Sequence, residues 1–148
     1  MSDEQGGVPT HIQLTDHEAM MYSPLSLAFI GDAVYEQLVR ERLILKANTS
    51  ANALHVMAVE RVCAEYQAAA VHELIDRGLL SEQENDVYKR GRNANGINPP
   101  KHSSVAQYRS ATGLEALFGF LKLTGRDERV EELFGYIWDF GEKKENKD

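Results

Sequence analysis

The chain has one cysteine among its 148 residues, so neither an intrachain disulfide nor a multi-cysteine zinc site can form. Cys63, among Val62, Ala64 and Tyr66, is most simply a small core residue. No apolar run approaches the roughly 20 residues that a membrane span needs. The N-terminus opens Ser2, Asp3, Glu4, Gln5 and then two glycines. It lacks the basic start and apolar middle of a secretory signal, so a cytoplasmic location is the expectation. Asn48-Thr49-Ser50 matches a glycosylation acceptor, which without secretion is a chance match. Strand-like alternation is missing, and so is any fixed-period repeat. His11, His17, His55, His72 and His102 share no metal-ligand spacing. Gly91 and Gly96 have the spacing of a phosphate-binding loop, but Ile97-Asn98 stands where lysine and serine or threonine are required, which excludes that nucleotide site.

What is present is ordinary in bulk and uneven in detail. The apolar fraction is 43% and the mean hydropathy −0.42, as in soluble globular proteins. The length suits one domain. The formal net charge of −7 speaks at first against a polyanionic partner. Yet residues 87–114 contain no acid, while Lys89, Arg90, Arg92, Lys101 and Arg109 all fall there. A basic stretch in an acidic chain is the footprint of a local polyanion contact; composition alone allows a merely solvated loop equally well.

Helical signals dominate. Residues 1–15 and 141–148 read as disordered, leaving 16–140 as a single domain. Ser23 as cap with Pro24 in the first turn starts a helix toward Ile44. A longer helix follows Thr49-Ser50, carrying Leu54, Met57, Val62, Tyr66, Ala69, Leu74 and Ile75 to an end near Gly78. Ser81 and Glu84 form a capping box for a helix toward Arg90. Residues 91–104, with Asn93, Asn95, Asn98 and Pro99-Pro100, read as a loop. A structureless loop that long within a compact domain is more often functional than idle. Helix resumes near Ser104, with Gly113 a candidate break, and Gly125 ends it. A last helix from about Arg126 puts Val130, Leu133, Phe134 and Ile137 on one face. The fold class is therefore all-α, a helical bundle.

Two acids stand out. Asp32 lies among Leu25, Leu27, Ala28, Phe29, Ile30, Ala33, Val34, Leu38 and Val39, a composition that predicts burial on nearly all sides. A carboxylate there needs a hydrogen bond or a metal. Glu115 is the single acid within Gly113-Leu114-Glu115-Ala116-Leu117-Phe118-Gly119. If the two helices pack through glycine faces, the carboxylates meet and a cation between them relieves their repulsion. Oxygen ligands without cysteine favour Mg²⁺ or Mn²⁺ over zinc. Structural carboxylates capping neighbouring helices are the alternative, about as strong on these features. Glu36, one turn after Asp32, is better explained by an ion pair with Arg40.

Leu27-Ala28-Phe29-Ile30-Gly31-Asp32-Ala33-Val34 resembles the signature helix of ribonuclease III catalytic domains, and Gly113-Leu114-Glu115-Ala116-Leu117 their second acidic helix. Tyr88-Lys89-Arg90-Gly91-Arg92-Asn93-Ala94, then Pro100-Lys101 and Gln107-Tyr108-Arg109, resembles the central segment of the Mini-ribonuclease III branch, which lacks the double-stranded-RNA-binding domain. The likeness spans about residues 24–133. Leu25 and Ala28 stand where the larger family has glutamates, and Thr112 where it has an aspartate, a reduced acid set similar to the Mini branch.

The resemblance implies an all-helical homodimer that hydrolyses double-stranded RNA with Mg²⁺, leaving 5′-phosphate and 3′-hydroxyl ends. It implies a part in maturation of precursor 23S ribosomal RNA, with Asp32 and Glu115 as catalytic and metal-binding residues. Double-stranded RNA is recognised mostly through phosphates, 2′-hydroxyls and shape. Lys89, Arg90, Arg92, Asn93 and Lys101 are accordingly expected to contact it, with Arg109 either joining them or pairing with a carboxylate near the site. The rival readings are a non-catalytic RNA-binding or ribosome-assembly module of the same fold, and a helical interaction protein.

Overall fold

The structure, a computed structural model, describes residues 13–147. It contains seven helices among those residues: α1 (Asp16–Met20), α2 (Pro24–Lys46), α3 (Ala51–Val62), α4 (Ala64–Asp76), α5 (Glu82–Arg92), α6 (Val105–Leu123) and α7 (Asp127–Lys147). The all-α expectation is met, and α6 is the hub. Every residue from 110 to 121 except Glu115 is buried on it, and α1, α2, α4, α5 and α7 all pack against it.

Glycines set how closely these helices meet. A Cβ on Gly31 of α2 would collide with the Glu115 carbonyl oxygen and lie 2.8 Å from the Gly119 nitrogen. A Cβ on Gly119 would collide in turn with the Leu27 carbonyl oxygen. The α2–α6 crossing is therefore backbone on backbone. Gly113 does not break α6; a Cβ there would sit 2.7 Å from the Tyr88 carbonyl oxygen, so the glycine admits α5.

Helix starts follow local chemistry. Ser23, Ser50, Ser81 and Ser104 each cap a helix by accepting a backbone N–H three residues on. The Ser81–Glu84 capping box forms as expected, and Arg129 of α7 clamps the buried Glu84 through two bonds of 2.8 Å. Burial pushes the Glu84 carboxyl up, but its bonds from Arg129 and Ser81 outweigh that and hold it below the ordinary value.

Four expectations need correction. The helix after Ser50 is two helices, because Cys63 is extended (φ −68°, ψ 155°) and serves both as last cap of α3 and first of α4. The segment from Gly141 is helical through Lys147: Glu142 pairs with Lys46 at 3.1 Å and Glu145 with the buried Arg61 at 2.8 Å, so charges that read as a solvated tail are anchored. Part of the expected disorder at 1–15 lies outside the described residues; within them, Leu14 N donates to Leu123 O at 2.7 Å and Thr15 opens α1 with a capping box. Finally, α2 is not buried on all sides. Leu27, Ala28, Gly31, Tyr35, Leu38, Val39 and Leu43 face the core, whereas Phe29 is 83% exposed and Asp32 is exposed too.

Candidate active site

Asp32 follows Gly31 at the α2–α6 crossing, and the contact between Gly31 and the Glu115 backbone brings the two carboxyls together. Both line one cleft, and the Asp32 charge acts on Glu115. Asp32 is exposed and Glu115 half-buried. Burial, then the Asp32 charge, push the Glu115 carboxyl up to about 8, and the more distant Glu36 adds to the rise. A bond from Gln67 Nε2 to Glu115 Oε2, 3.2 Å long, pulls the other way. Among the described residues neither Asp32 nor Glu115 has a salt-bridge partner. Glu36 instead pairs with Arg40 at 2.7 Å, as its spacing predicts.

The pair opens into a cleft of about 260 Å³, lined also by Phe29, Asn98, Tyr108 and Thr112. Gly96 and Ile97 complete that wall, so the long loop after α5 reaches the acids with its asparagine end and not with its basic one. Lys89, Asn93 and Lys101 are exposed. Arg92 bonds Asn93 Oδ1 at 3.1 Å and covers the Tyr88 ring at 5.6 Å. The half-buried Arg90 rests against Met20 Sδ at 3.4 Å. Arg109 is turned inward: its Nη1 donates to the carbonyls of Arg92 and Ala94, both at 3.1 Å. Among the described residues it pairs with no carboxylate, and it caps the end of α5, where helix carbonyls lack partners.

The structure adds Gln67, Asn98, Tyr108 and Thr112 to the neighbourhood of the acids. Gln67 carried one sequence signal, a lone amide beside Ala68, Ala69, Ala70 and Val71. Among the described residues no cluster of three or more His, Cys, Asp or Glu side chains is placed to hold a metal ion. The site rests on two carboxylates.

Known proteins resemble this chain over most of its length. A model of the ribonuclease III domain matches residues 25–126. The chain belongs to the ribonuclease III family of endoribonucleases. Within that family it falls among the proteins called Mini-ribonuclease 3. The one from Symbiobacterium thermophilum is 47% identical over 81% of this chain and 91% of its own length. That from Enterococcus faecalis is 43% identical over 82% and 92%, and that from Staphylococcus aureus 38% over 82% and 91%. A crystal structure of a Fusobacterium nucleatum protein superposes with a TM-score of 0.71 at 28% identity, covering 81% of this chain and 94% of that one. No described helix is long and apolar enough to cross a membrane.

Proposed function

We propose that this chain is a magnesium-dependent endoribonuclease that cuts double-stranded RNA, with Asp32 and Glu115 as its catalytic pair. The observation that carries the reading is the placing of these two carboxyls in one cleft, one exposed and one half-buried, with no salt-bridge partner for either among the described residues. An all-oxygen donor set of this kind fits a hard divalent cation, Mg²⁺ or Mn²⁺, with Asp32 and Glu115 as the residues that would hold it. Such an ion, when bound, lowers the pKa of a coordinated water and neutralises charge on a phosphate under attack.

The remaining work falls to the chain itself. Asp32 offers its oxygens at the open side of the cleft. Glu115, pushed up to about 8 by burial and the Asp32 charge, would serve as a full ligand once its proton is lost. Lys89, Arg92 and Lys101 contact the phosphate backbone, Arg90 and Asn93 add donors along the same face, and Arg109 holds the loop in shape. Hydrolysis leaves 5′-phosphate and 3′-hydroxyl ends, and precursor 23S ribosomal RNA in the cytoplasm is the substrate this branch points to. Two copies form a homodimer: Phe29, 83% exposed, stands beside the cleft, and Met21 and Tyr22 are also exposed, an apolar surface that a second copy would cover.

Incubating the purified chain with long double-stranded RNA, with and without Mg²⁺, tests the proposal. Magnesium-dependent fragments support it. A gel shift without fragments favours the non-catalytic module instead.

A further inference from the structure

Gln67 is 2% exposed, and on the buried side of α4 it stands with Ala68, Ala70, Val71 and Leu74, all apolar. Packing of that helix asks for no amide. Its Nε2 nevertheless makes two bonds, to the Val62 carbonyl at 2.9 Å and to Glu115 Oε2 at 3.2 Å. The Val62 carbonyl can only accept, so the amide has one workable orientation: turning it over would set its oxygen against that carbonyl oxygen. Its Oε1 is the one buried side-chain nitrogen or oxygen among the described residues without a partner. An unmet buried acceptor is costly to the fold. The fold tolerates it and keeps both N–H bonds.

The anchoring of this amide comes from the backbone. Val62 is the last residue of α3, and Cys63 is the extended residue between α3 and α4. The break turns the Val62 carbonyl toward the first turn of α4 and fixes Gln67 from behind. A side chain held at one end by the main chain and bonded at the other to a carboxylate transmits position, as partners behind a metal ligand do.

We infer that Gln67 is a positioning residue, whose amide orients the Glu115 carboxylate toward Asp32 and thereby sets how tightly the pair takes a divalent cation. The inference rests on the reading that Asp32 and Glu115 hold that cation. Outer partners of metal ligands are worth about 10–100-fold in metal affinity, and the low end suits a single neutral bond.

The test is Mn²⁺ uptake by the full chain without RNA, followed by electron paramagnetic resonance for wild type, Q67M, Q67N, E115Q and the Q67M/E115Q double variant. Q67M and Q67N should each weaken uptake about 10-fold, and the double variant should be no weaker than E115Q, because Gln67 acts through Glu115. In cleavage, Q67M should need more Mg²⁺ yet approach the wild-type rate at saturation. Uptake by Q67M equal to wild type, with E115Q impaired, overturns the role of Gln67 and leaves the cation site standing. Wild-type or E115Q results that deny a site at Glu115 overturn both. Should neither Gln67 variant fold, the side-chain amide resonance of Gln67 in the wild-type chain decides. It should move during Mg²⁺ titration with the midpoint of binding, and a resonance unmoved at saturation overturns the inference.

Discussion

Gly31 meets the Glu115 backbone so closely that a β-carbon on the glycine would overlap the glutamate's carbonyl oxygen. The contact joins α2 to α6 and, in the same stroke, delivers Asp32 beside Glu115. Gly31→Ala should therefore disturb fold and site together. Overpacking in a core costs about 1–3 kcal/mol, and a clash with the α6 main chain, which cannot swing aside as a side chain can, belongs at or above the top of that range. Urea unfolding measures the loss; a variant within about 0.5 kcal/mol of wild type contradicts the crossing described here.

Stability should depend on pH through Glu115. Burial and the Asp32 charge push its carboxyl up to about 8 in the folded chain, against 4.5 for an ordinary glutamate. Between those values the folded state keeps a proton that the unfolded state has released. Stability contributed by this group is complete below 4.5, falls as pH rises toward 8, and levels off above. Glu115→Gln removes that dependence. In metal-free buffer, its melting temperature relative to wild type should climb from pH 5 to pH 8; a constant difference contradicts the assignment.

Arg109 holds the loop. A charged donor shared between two carbonyls is worth about 2 kcal/mol, so Arg109→Met should loosen residues 93–98. Amide hydrogen exchange there should quicken, and KM for RNA should rise more than kcat falls. Exchange as slow as in wild type would show that the loop keeps its shape unaided.

Lys89 and Lys101 are exposed, so their replacement by glutamine leaves packing intact. If both touch phosphates, each substitution should lower the slope of log affinity against log salt by about 0.9. Binding of a short RNA duplex at several salt concentrations gives that slope. An unchanged slope removes these lysines from the interface.

The clamp between α5 and α7 gives a prediction independent of catalysis. Arg129→Met leaves the buried Glu84 without its partner, and breaking a buried pair costs about 3–5 kcal/mol. Thermal unfolding checks it, and a small shift would mean that Glu84 finds water.

Much of this was legible in the chain, for local reasons. Ser23-Pro24 and the Ser81–Glu84 box act within four residues, so their helix starts could be read directly. The break at Cys63 has no such signal: neither glycine nor proline marks it, and it forms where the amide of Gln67 and the hydroxyl of Tyr35 bond the carbonyls of Val62 and Arg61. The end of α7 was hidden because its charges find partners far away in sequence, Lys46 and Arg61. Asp32 was singled out, but from an expected burial that the fold does not impose; its helix turns Phe29 and Asp32 outward. Arg109 shows the limit from the other side, since five basic residues look alike in sequence and one of them caps its own loop.

The central claim is that Asp32 and Glu115 together cut RNA. It is tested most directly by single-turnover cleavage of a double-stranded RNA in Mg²⁺ by wild type, D32N and E115Q, with binding followed in parallel. The account predicts that each variant binds the duplex nearly as wild type does and cuts it more than about 100-fold slower, beyond what loss of an outer partner explains. Either variant cutting at close to the wild-type rate would contradict it.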